Sequence, residues 1–396
     1  MIDRAEPRIL VAGGGVAALE AMLALQELAK RRLRISLLSA SPRFEYAPLA
    51  VAEPFGLGRA HSFELREIVR ERGVETIVDE LVAVDPDAKA ARTSGGLTIP
   101  YDVLLVAIGA RRRSALPGAI TFSGSRATSD IRRLLRAAVA GSVARLAFAV
   151  PTGVTWSLPI YELALMTTAH LADEGVAAEV SLVTPEPRPL DAFGAHASAT
   201  VAEMLALRGI SFRSAVPVRA EPSRLLLEGA EPIPADAVVA LPKLLAPEIG
   251  GLPGDEDGFL PVDEHCKVRG LAGIYAAGDV TSYPLKQGGI ATQQADAAAE
   301  AIAAELGEDL SPTPFQPVLR GLLLTGRAPR YLRAEVLGGR ATRSSAEAEA
   351  IWWPPAKIAG RRLGPFLALQ GVSGGPPPEA VALELDGSDS DAEDGR

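Results

Sequence analysis

Cysteine is nearly absent from this sequence, which excludes several classes of redox and metal site. Only Cys266 is a cysteine among 396 residues. No intrachain disulfide, Cys-x-x-Cys redox pair or cysteine-ligated iron–sulfur cluster can therefore form. The four histidines, His61, His170, His196 and His265, are scattered without the spacing of metal ligands. We therefore predict no metal site.

Long apolar runs and an excess of basic charge are also missing. The longest apolar candidate, residues 146–161, is interrupted by Pro151 and Pro159, whereas a membrane span needs about 18 apolar residues. Lys and Arg total 40 against 49 acids, for a net charge of −9. Acidic residues precede the first apolar run at the N-terminus. These features predict no nucleic-acid partner, no secretory signal and a cytoplasmic protein, with peripheral contact at the inner face of the membrane left open.

Two parts of the chain show the alternation expected of βαβ units. In the first, predicted strands at residues 8–12 and 34–39 flank a segment with apolar residues at helical spacing. In the second, predicted strands at 146–150 and 179–183 flank a predicted helix over 158–172. Strands alternating with helices favour parallel sheets. We predict an α/β fold with two three-layer, Rossmann-like dinucleotide-binding domains.

Further strands and breaks in the pattern suggest how the domains follow one another. Strands are predicted at 81–84, 97–100, 103–108, 236–240 and 273–277, and helices at 199–207 and 291–304. The predicted domains are a first domain in two parts, 1–113 and 255–310, and a second domain, 114–254, inserted between them. A C-terminal segment, 311–371, and a disordered acidic tail, 372–396, complete the prediction.

A glycine-rich turn lies between the first predicted strand and helix. It reads Gly13-x-Gly15-x-x-Ala18, and this strand–turn–helix context makes the fingerprint credible. The first glycine permits a tight turn, and the second allows the backbone to approach a pyrophosphate. The free N–H groups of the following helix N-terminus favour the same anion.

Two later strand ends carry small residues and an acid. Residues 101–110 end at Gly109-Ala110, and residues 274–279 end at Gly278-Asp279. Such strand ends converge where an α/β sheet binds its ligand, and an Asp there accepts hydrogen bonds from a polyol. Lys286-Gln287-Gly288-Gly289 then opens an alanine-rich helix, whose N-terminus favours negative charge.

The order of these three motifs, over residues 8–305, resembles the pyridine nucleotide–disulfide oxidoreductase family of flavoproteins. Residues 43–49 and 283–289 look closest to type II NADH dehydrogenases, sulfide:quinone oxidoreductases and flavocytochrome c sulfide dehydrogenases. The resemblance implies an FAD-dependent oxidoreductase and names Lys286 as a catalytic candidate. It implies that the FAD-binding residues are Gly13, Gly14, Gly15, Ala17, Ser39, Arg43, Val82, Ala107, Gly109, Gly278, Asp279, Lys286, Gln287, Gly288 and Gly289. A solvated surface charge is the alternative interpretation of Lys286.

The second domain departs from the pattern of family members that use NAD(P)H. Its loop reads PTGVTWSLP over 151–159, with one glycine, and Trp156 would obstruct a pyrophosphate. Ser157 is predicted as the helix N-cap, with Pro159 in the first turn. Glu186 is interpreted as a solvated loop acid, with a ribose ligand as the alternative. We therefore expect no ordinary NAD(P)H use, while an NAD(P)H:quinone reductase stays an alternative function.

The lone cysteine separates this chain from the cysteine-dependent branches that it resembles. Cys266 is predicted to be a packing residue, since one thiol cannot form a relay disulfide. The predicted function is electron transfer from an unidentified small-molecule donor through flavin to a quinone-like or protein acceptor. Remaining alternatives are a non-catalytic flavin-binding partner protein, and a flavocytochrome-like subunit whose haem would sit on a separate partner. A homodimer is also left open.

The C-terminal segment carries adjacent aromatic and basic residues. Trp352 and Trp353 lie close to Lys357, Arg361 and Arg362. We interpret this region as a lid on the flavin domain, with peripheral membrane contact as the alternative.

Overall fold

A computed structural model describes residues 6–30, 32–337 and 340–372. Apart from Val372, the predicted disordered tail lies outside the described residues. The described α-helices are α1 (Val16–Leu28), α2 (Leu65–Val69), α3 (Thr128–Val139), α4 (Leu158–Asp173), α5 (Gly194–Leu207), α6 (Gly288–Glu305) and α7 (Leu363–Leu369). The predicted helix at 291–304 is thus confirmed but begins three residues earlier, at the Gly288-Gly289 pair.

The described strands are short and fall into several sheets. They are β1 (Arg8–Ala12), β2 (Arg34–Ser39), β3 (Arg43–Tyr46), β4 (His61–Glu64), β5 (Glu75–Val78), β6 (Leu81–Asp85), β7 (Ala90–Thr93), β8 (Thr98–Pro100), β9 (Val103–Val106), β10 (Arg111–Arg113), β11 (Ile120–Thr121), β12 (Arg145–Ala149), β13 (Glu179–Thr184), β14 (Ile210–Ser214), β15 (Pro217–Glu221), β16 (Arg224–Leu227), β17 (Ala230–Pro234), β18 (Ala237–Ala240), β19 (Lys243–Leu245), β20 (Ile274–Ala276), β21 (Val318–Leu323), β22 (Arg330–Leu337) and β23 (Arg340–Glu347).

The first domain is built on a five-stranded parallel sheet in the order β20-β9-β1-β2-β5. Helices α1 and α6 pack on one face of it, where alanine-rich surfaces allow close approach. The antiparallel strands β6, β7 and β8 cover the other face. The sheet is therefore the middle of three layers, and its strand β20 comes from the chain after the second domain. The predicted α/β class is confirmed.

The second domain repeats this plan with a parallel sheet in the order β11-β18-β12-β13-β14. Helices α3, α4 and α5 pack on one face, and the antiparallel strands β15, β16 and β17 pack on the other. Strands β10 and β19 form a two-stranded ribbon where the chain enters and leaves this domain.

The C-terminal segment contains a sheet that the sequence analysis did not predict. Strands β21, β22 and β23 are antiparallel and pack against α4 and α5 through Leu319, Leu323 and Leu332. Beyond them, α7 packs on α1. The Glu20 carboxylate of α1 accepts hydrogen bonds from the backbone N–H groups of Arg362 and Leu363, at 2.7 and 2.8 Å. These bonds hold the C-terminal segment over the first domain.

Candidate functional site

The predicted binding residues converge at one edge of the first sheet. Gly13 follows β1, Ser39 ends β2, Ala107 follows β9 and Gly278 follows β20. The strands are parallel neighbours, so their carboxyl ends meet at this edge. Backbone hydrogen bonds fix the positions of these strand ends relative to one another. For example, the Gly13 N–H donates to the Leu38 carbonyl at 2.7 Å.

The turn from β1 into α1 has the geometry that a pyrophosphate needs. Gly13 has φ of +135°, and a Cβ there would lie 2.2 Å from the Ala107 carbonyl oxygen, so no other residue fits. At Gly15 a Cβ would meet nothing within 4 Å. Gly15 immediately precedes α1, whose first N–H groups lack helical partners. Open space above donor-rich backbone therefore fits the pyrophosphate of a dinucleotide.

A cavity of about 580 Å³ lies where the first domain, the second domain and the C-terminal sheet meet. The first domain contributes Val16, Asp279 and residues 286–288 to its wall. The second domain contributes loop residues 153–156, and β21 contributes residues 320–322. All three parts of the chain thus line the same cavity, which is partly open to solvent.

Asp279 projects into this cavity with its carboxylate available. No hydrogen bond from the described part of the chain reaches its side chain. Burial raises the pKa of this carboxyl group, and the positive charges of Lys286 and Arg112 offset only part of that increase. A largely buried carboxylate needs donors. The hydroxyls of a ribitol chain are suitable donors, so the residue fits the role predicted for it.

Lys286 is half-buried in the cavity wall, so the interpretation as a solvated surface charge is wrong. Its Nζ donates to the Thr281 carbonyl and lies 3.7 Å from the centroid of the Phe259 ring. Burial lowers its pKa to about 8, against the attraction of Asp279, Asp255 and Asp257. The next residue, Gln287, caps α6 by accepting the Ile290 N–H at 2.8 Å.

Other predicted binding residues lie farther from the cavity. Arg43 is in the hairpin of β3 and β4, where its guanidinium contacts Glu64 and donates to Ser62 Oγ at 2.7 Å. Val82 lies on β6 with 40% of its surface exposed. Gly14 packs against the buried Ser39. The roles of these residues stay predictions, and Arg43 would have to share its guanidinium with Glu64.

A buried ion pair in the cavity wall was missed by the sequence analysis. Glu162 of α4 and Lys357 of the C-terminal segment have side chains 0% and 7% exposed. Lys357 Nζ donates to Glu162 Oε2 at 2.6 Å, and the Leu324 N–H donates to Oε1 at 2.8 Å. Burial raises the pKa of Glu162 and lowers that of Lys357. The one feature of the sequence that could have indicated this pair is Glu162 itself, a charged residue among the apolar residues of α4.

The corresponding loop of the second domain is closed by its own side chains. Trp156 packs on Phe193 with ring centroids 5.8 Å apart. Glu186, at the end of β13, accepts hydrogen bonds from Ser157 Oγ at 2.8 Å, Tyr161 Oη at 2.7 Å and Thr184 Oγ1 at 3.0 Å.

One prediction about this loop is therefore wrong, whereas the predicted N-cap position of Ser157 is confirmed. Glu186 is not a solvated loop acid, because it is half-buried with its carboxylate engaged and burial raises its pKa. Ser157 holds the N-cap position of α4, but its hydroxyl makes no capping bond. It donates to Glu186 instead. The predicted proline in the first turn is confirmed.

Cys266 is buried in the core of the first domain, as predicted for a packing residue. Within residues 6–30, 32–337 and 340–372, no group of three or more His, Cys, Asp and Glu side chains is arranged to hold a metal ion. In the same part of the chain, no helix has both the length and the apolar character required to cross a membrane.

The model of the pyridine nucleotide-disulphide oxidoreductase family matches residues 7–301. The chain belongs to this family. The predicted family and the prediction of an FAD-dependent oxidoreductase are thus confirmed, and the glycine cradle, Asp279 and the N-terminus of α6 are the parts of the protein suited to hold FAD.

Two curated relatives show similar sequences. The chain is 28% identical over 265 residues to a sulfide-quinone reductase of Aquifex aeolicus, covering 63% of this chain and 61% of that protein. It is 28% identical over 301 residues to an NADH dehydrogenase-like protein of Mycobacterium tuberculosis, covering 69% and 73%. The first match thus spans less than two thirds of the relative.

The fold is also similar to that of a solved sulfide:quinone oxidoreductase from Aquifex aeolicus. The TM-score is 0.79 at 21% identity, over 86% of each chain. A ferredoxin reductase of Rhodopseudomonas palustris follows with a TM-score of 0.63 at 20% identity. Because both identities are low, these likenesses concern the fold alone.

Proposed function

We propose that this flavoprotein passes electrons from a small-molecule donor to a quinone-like acceptor without a redox cysteine pair. FAD, when bound, supplies the two-electron transfer. The lone cysteine is buried away from the cavity, so the protein contributes binding, orientation and proton handling rather than thiol chemistry. The name of the Aquifex relative supports a quinone as acceptor.

The observation that carries the proposal is the buried Glu162–Lys357 pair in the cavity wall. Reduction of a quinone consumes protons as well as electrons, whereas a pure electron acceptor consumes none. The Lys357 ammonium group lines the cavity and carries protons that it can donate. The Glu162 carboxylate holds this group in place, with Lys357 Nζ and Glu162 Oε2 2.6 Å apart. Burial brings the pKa values of the two groups closer together, which eases proton transfer.

We further propose that NAD(P)H is not the donor. A nicotinamide dinucleotide would need the 151–157 loop for its pyrophosphate and Glu186 for its ribose. Trp156 and the engaged Glu186 carboxylate leave neither available in this conformation. The name of the Mycobacterium tuberculosis relative supports NADH as donor, as in the alternative function of an NAD(P)H:quinone reductase.

Access to a membrane quinone calls for peripheral membrane contact, which we propose for the region around Trp353. The structure separates the two adjacent tryptophans. Trp352 packs on Tyr331 with ring centroids 5.1 Å apart, whereas Trp353 is 74% exposed. Trp353 is therefore the one of the two that is placed to meet an interface.

The test compares two acceptors on the same photoreduced, oxygen-free protein. A water-soluble quinone requires protons, whereas ferricyanide requires only electrons. We expect Glu162→Gln to slow reoxidation by the quinone by about a hundredfold and to leave reoxidation by ferricyanide unchanged. Ferricyanide thereby reports that the variant is folded and loaded with flavin. Equal rates with the quinone in wild type and variant would contradict the proposal.

A further inference from the structure

Besides Arg112 and Lys286, two cationic side chains of the cavity wall, Arg320 and Lys243, form no ion pair in the described part of the chain. Both are half-buried and line the cavity. Lys357, in the same wall, is paired with Glu162. A partly buried cation without an anion is unfavourable, because it has lost hydration and has no attraction to an opposite charge that offsets this loss. Acidic and basic residues are equally numerous in the lining, five of each, but no carboxylate of the described chain pairs with these two cationic groups.

Arg320 is held in position from its backbone. Its carbonyl accepts a hydrogen bond from Gln287 Nε2 at 3.1 Å, which ties β21 to the N-terminus of α6. Burial lowers the pKa of Arg320, and the neighbouring Arg333 adds to this effect, yet arginine stays protonated in proteins. Its guanidinium is thus a permanent cation beside the predicted flavin end of the cavity.

Lys243 lies on the second-domain side of the same space. It belongs to β19, opposite Arg113 of β10. A Cβ on Gly153 would lie 3.3 Å from Lys243 Nζ, so the ammonium group rests against the loop that replaces a nicotinamide loop. The glycine leaves that ammonium group accessible from the cavity.

The wall that accompanies these cations is apolar. Trp156, Phe122, Leu241 and Leu322 all line the cavity. The strand residue after Arg320, Gly321, would place a Cβ 2.6 Å from Phe193, and Phe193 in turn packs on Trp156. The aromatic surface is therefore linked directly to the strand that carries Arg320.

We propose that the cavity binds an organic carboxylate as substrate, with Arg320 and Lys243 holding its carboxylate and Trp156 contacting its apolar body. The proposal rests on the proposed function, because it names the class of small molecule that uses the same cavity. Arginine is suited to the task because its guanidinium matches a carboxylate with two parallel hydrogen bonds. Inorganic anions would satisfy the cations but leave the apolar wall uncovered.

The test uses isothermal titration of the full-length, flavin-loaded protein with benzoate and with uncharged benzamide. We expect benzoate to bind at least about tenfold more tightly than benzamide. Arg320→Gln and Lys243→Gln should each weaken benzoate binding by about tenfold and leave benzamide binding unchanged. Arg320→Lys should retain part of the affinity. The control Arg340→Gln, an exposed residue of β23 outside the cavity, should change nothing.

Benzoate binding as weak as that of benzamide, or unaffected by Arg320→Gln, would overturn this inference. Visible flavin absorbance and quinone reoxidation, recorded on the same preparation, test the proposed function separately. If both are present while benzoate fails to bind, the carboxylate site alone is wrong. If no flavin is held, the proposed function fails and the carboxylate site falls with it.

Discussion

The two dinucleotide-type domains share a topology but differ at the loop where a nucleotide would lie. Each has five parallel strands between helices and a three-stranded antiparallel layer. In the first domain the loop after β1 is open at Gly15, and a small Ser39 ends the next strand. In the second, Trp156 fills the loop, and Glu186 follows the next strand with its carboxylate engaged.

This contrast shows that one topology can carry two different loops at the same position. Parallel pairing and the packed cores stabilise both domains without reference to the loop, so side chains there are free to change the chemistry. The second domain still serves the cavity through Glu162 of α4 and Lys243 of β19. We propose that the second domain helps to bind and protonate small molecules.

The largest expected difference between the domains concerns their loop glycines. We expect Gly13→Ala to abolish flavin binding, because its Cβ would lie 2.2 Å from a backbone oxygen. The matched variant Gly153→Ala is also strained, at φ of +80°, but its Cβ would meet the flexible side chain of Lys243 at 3.1 Å and no backbone oxygen, so it should keep its flavin. Flavin content per chain, from absorbance of the desalted proteins, measures both. Equal flavin loss in the two variants would remove the distinction between the loops.

The second largest effect is expected at the buried Glu162–Lys357 pair, which links the second domain to the C-terminal segment. Glu162→Gln should lower the free energy of unfolding by about 3–5 kcal/mol, because Lys357 would be left charged without its partner. The double variant Glu162→Leu with Lys357→Met should recover most of that loss. Denaturant unfolding of both variants measures this. A double variant as unstable as the single one would show that Lys357 gains nothing from Glu162.

The engaged acid of the second domain should matter for stability and not for nucleotide binding. Glu186→Ala removes the partner of the buried Tyr161 hydroxyl, so we expect a loss of about 2 kcal/mol in the free energy of unfolding. Glu228→Ala, at an exposed acid, is the control and should change stability by less than about 0.5 kcal/mol. Loss of an NADH-driven activity in Glu186→Ala would instead identify Glu186 as a ribose ligand.

The smallest effect is expected at Lys286, in the first domain. Its pKa of about 8 makes it cationic below pH 8 and neutral above, so turnover should fall as pH rises through 8. Lys286→Gln should lower turnover at pH 7 by about tenfold and remove this alkaline decline. A decline that persists in the variant would assign it to another group.

Measuring the free energy of unfolding as a function of pH separates the loss of turnover above pH 8 from unfolding of the protein. The folded pKa of Lys286 lies below its ordinary value of 10.5, so the unfolded chain binds more protons between pH 8 and 10.5. The contribution of Lys286 to stability therefore rises with pH in that window while turnover falls.

Sequence patterns were sufficient for the first domain because its signals are local. A strand, a glycine turn and a helix follow one another directly around Gly13, so spacing alone predicts where they meet. The C-terminal sheet was missed because β21, β22 and β23 lack clear apolar alternation and depend on packing against α4 and α5. Lys357 lies 195 residues from Glu162, a distance across which no local pattern predicts a contact.

Glu186 shows the converse failure. Its neighbours Pro185 and Pro187 indicated an exposed loop, and both are exposed. The side chain nevertheless turns inward to Ser157 and Tyr161, which come from a helix start about thirty residues earlier. The sequence predicted the backbone position correctly but not the direction of the carboxylate.

The most direct test of the account is an anaerobic titration of the purified, flavin-containing protein with NADH, followed by flavin absorbance. We predict that NADH leaves the flavin band unchanged, because Trp156 packs in the loop and the Glu186 carboxylate is already engaged, while photoreduction bleaches the same band. Rapid, stoichiometric bleaching by NADH would contradict it and establish an NAD(P)H:quinone reductase with an unusual loop.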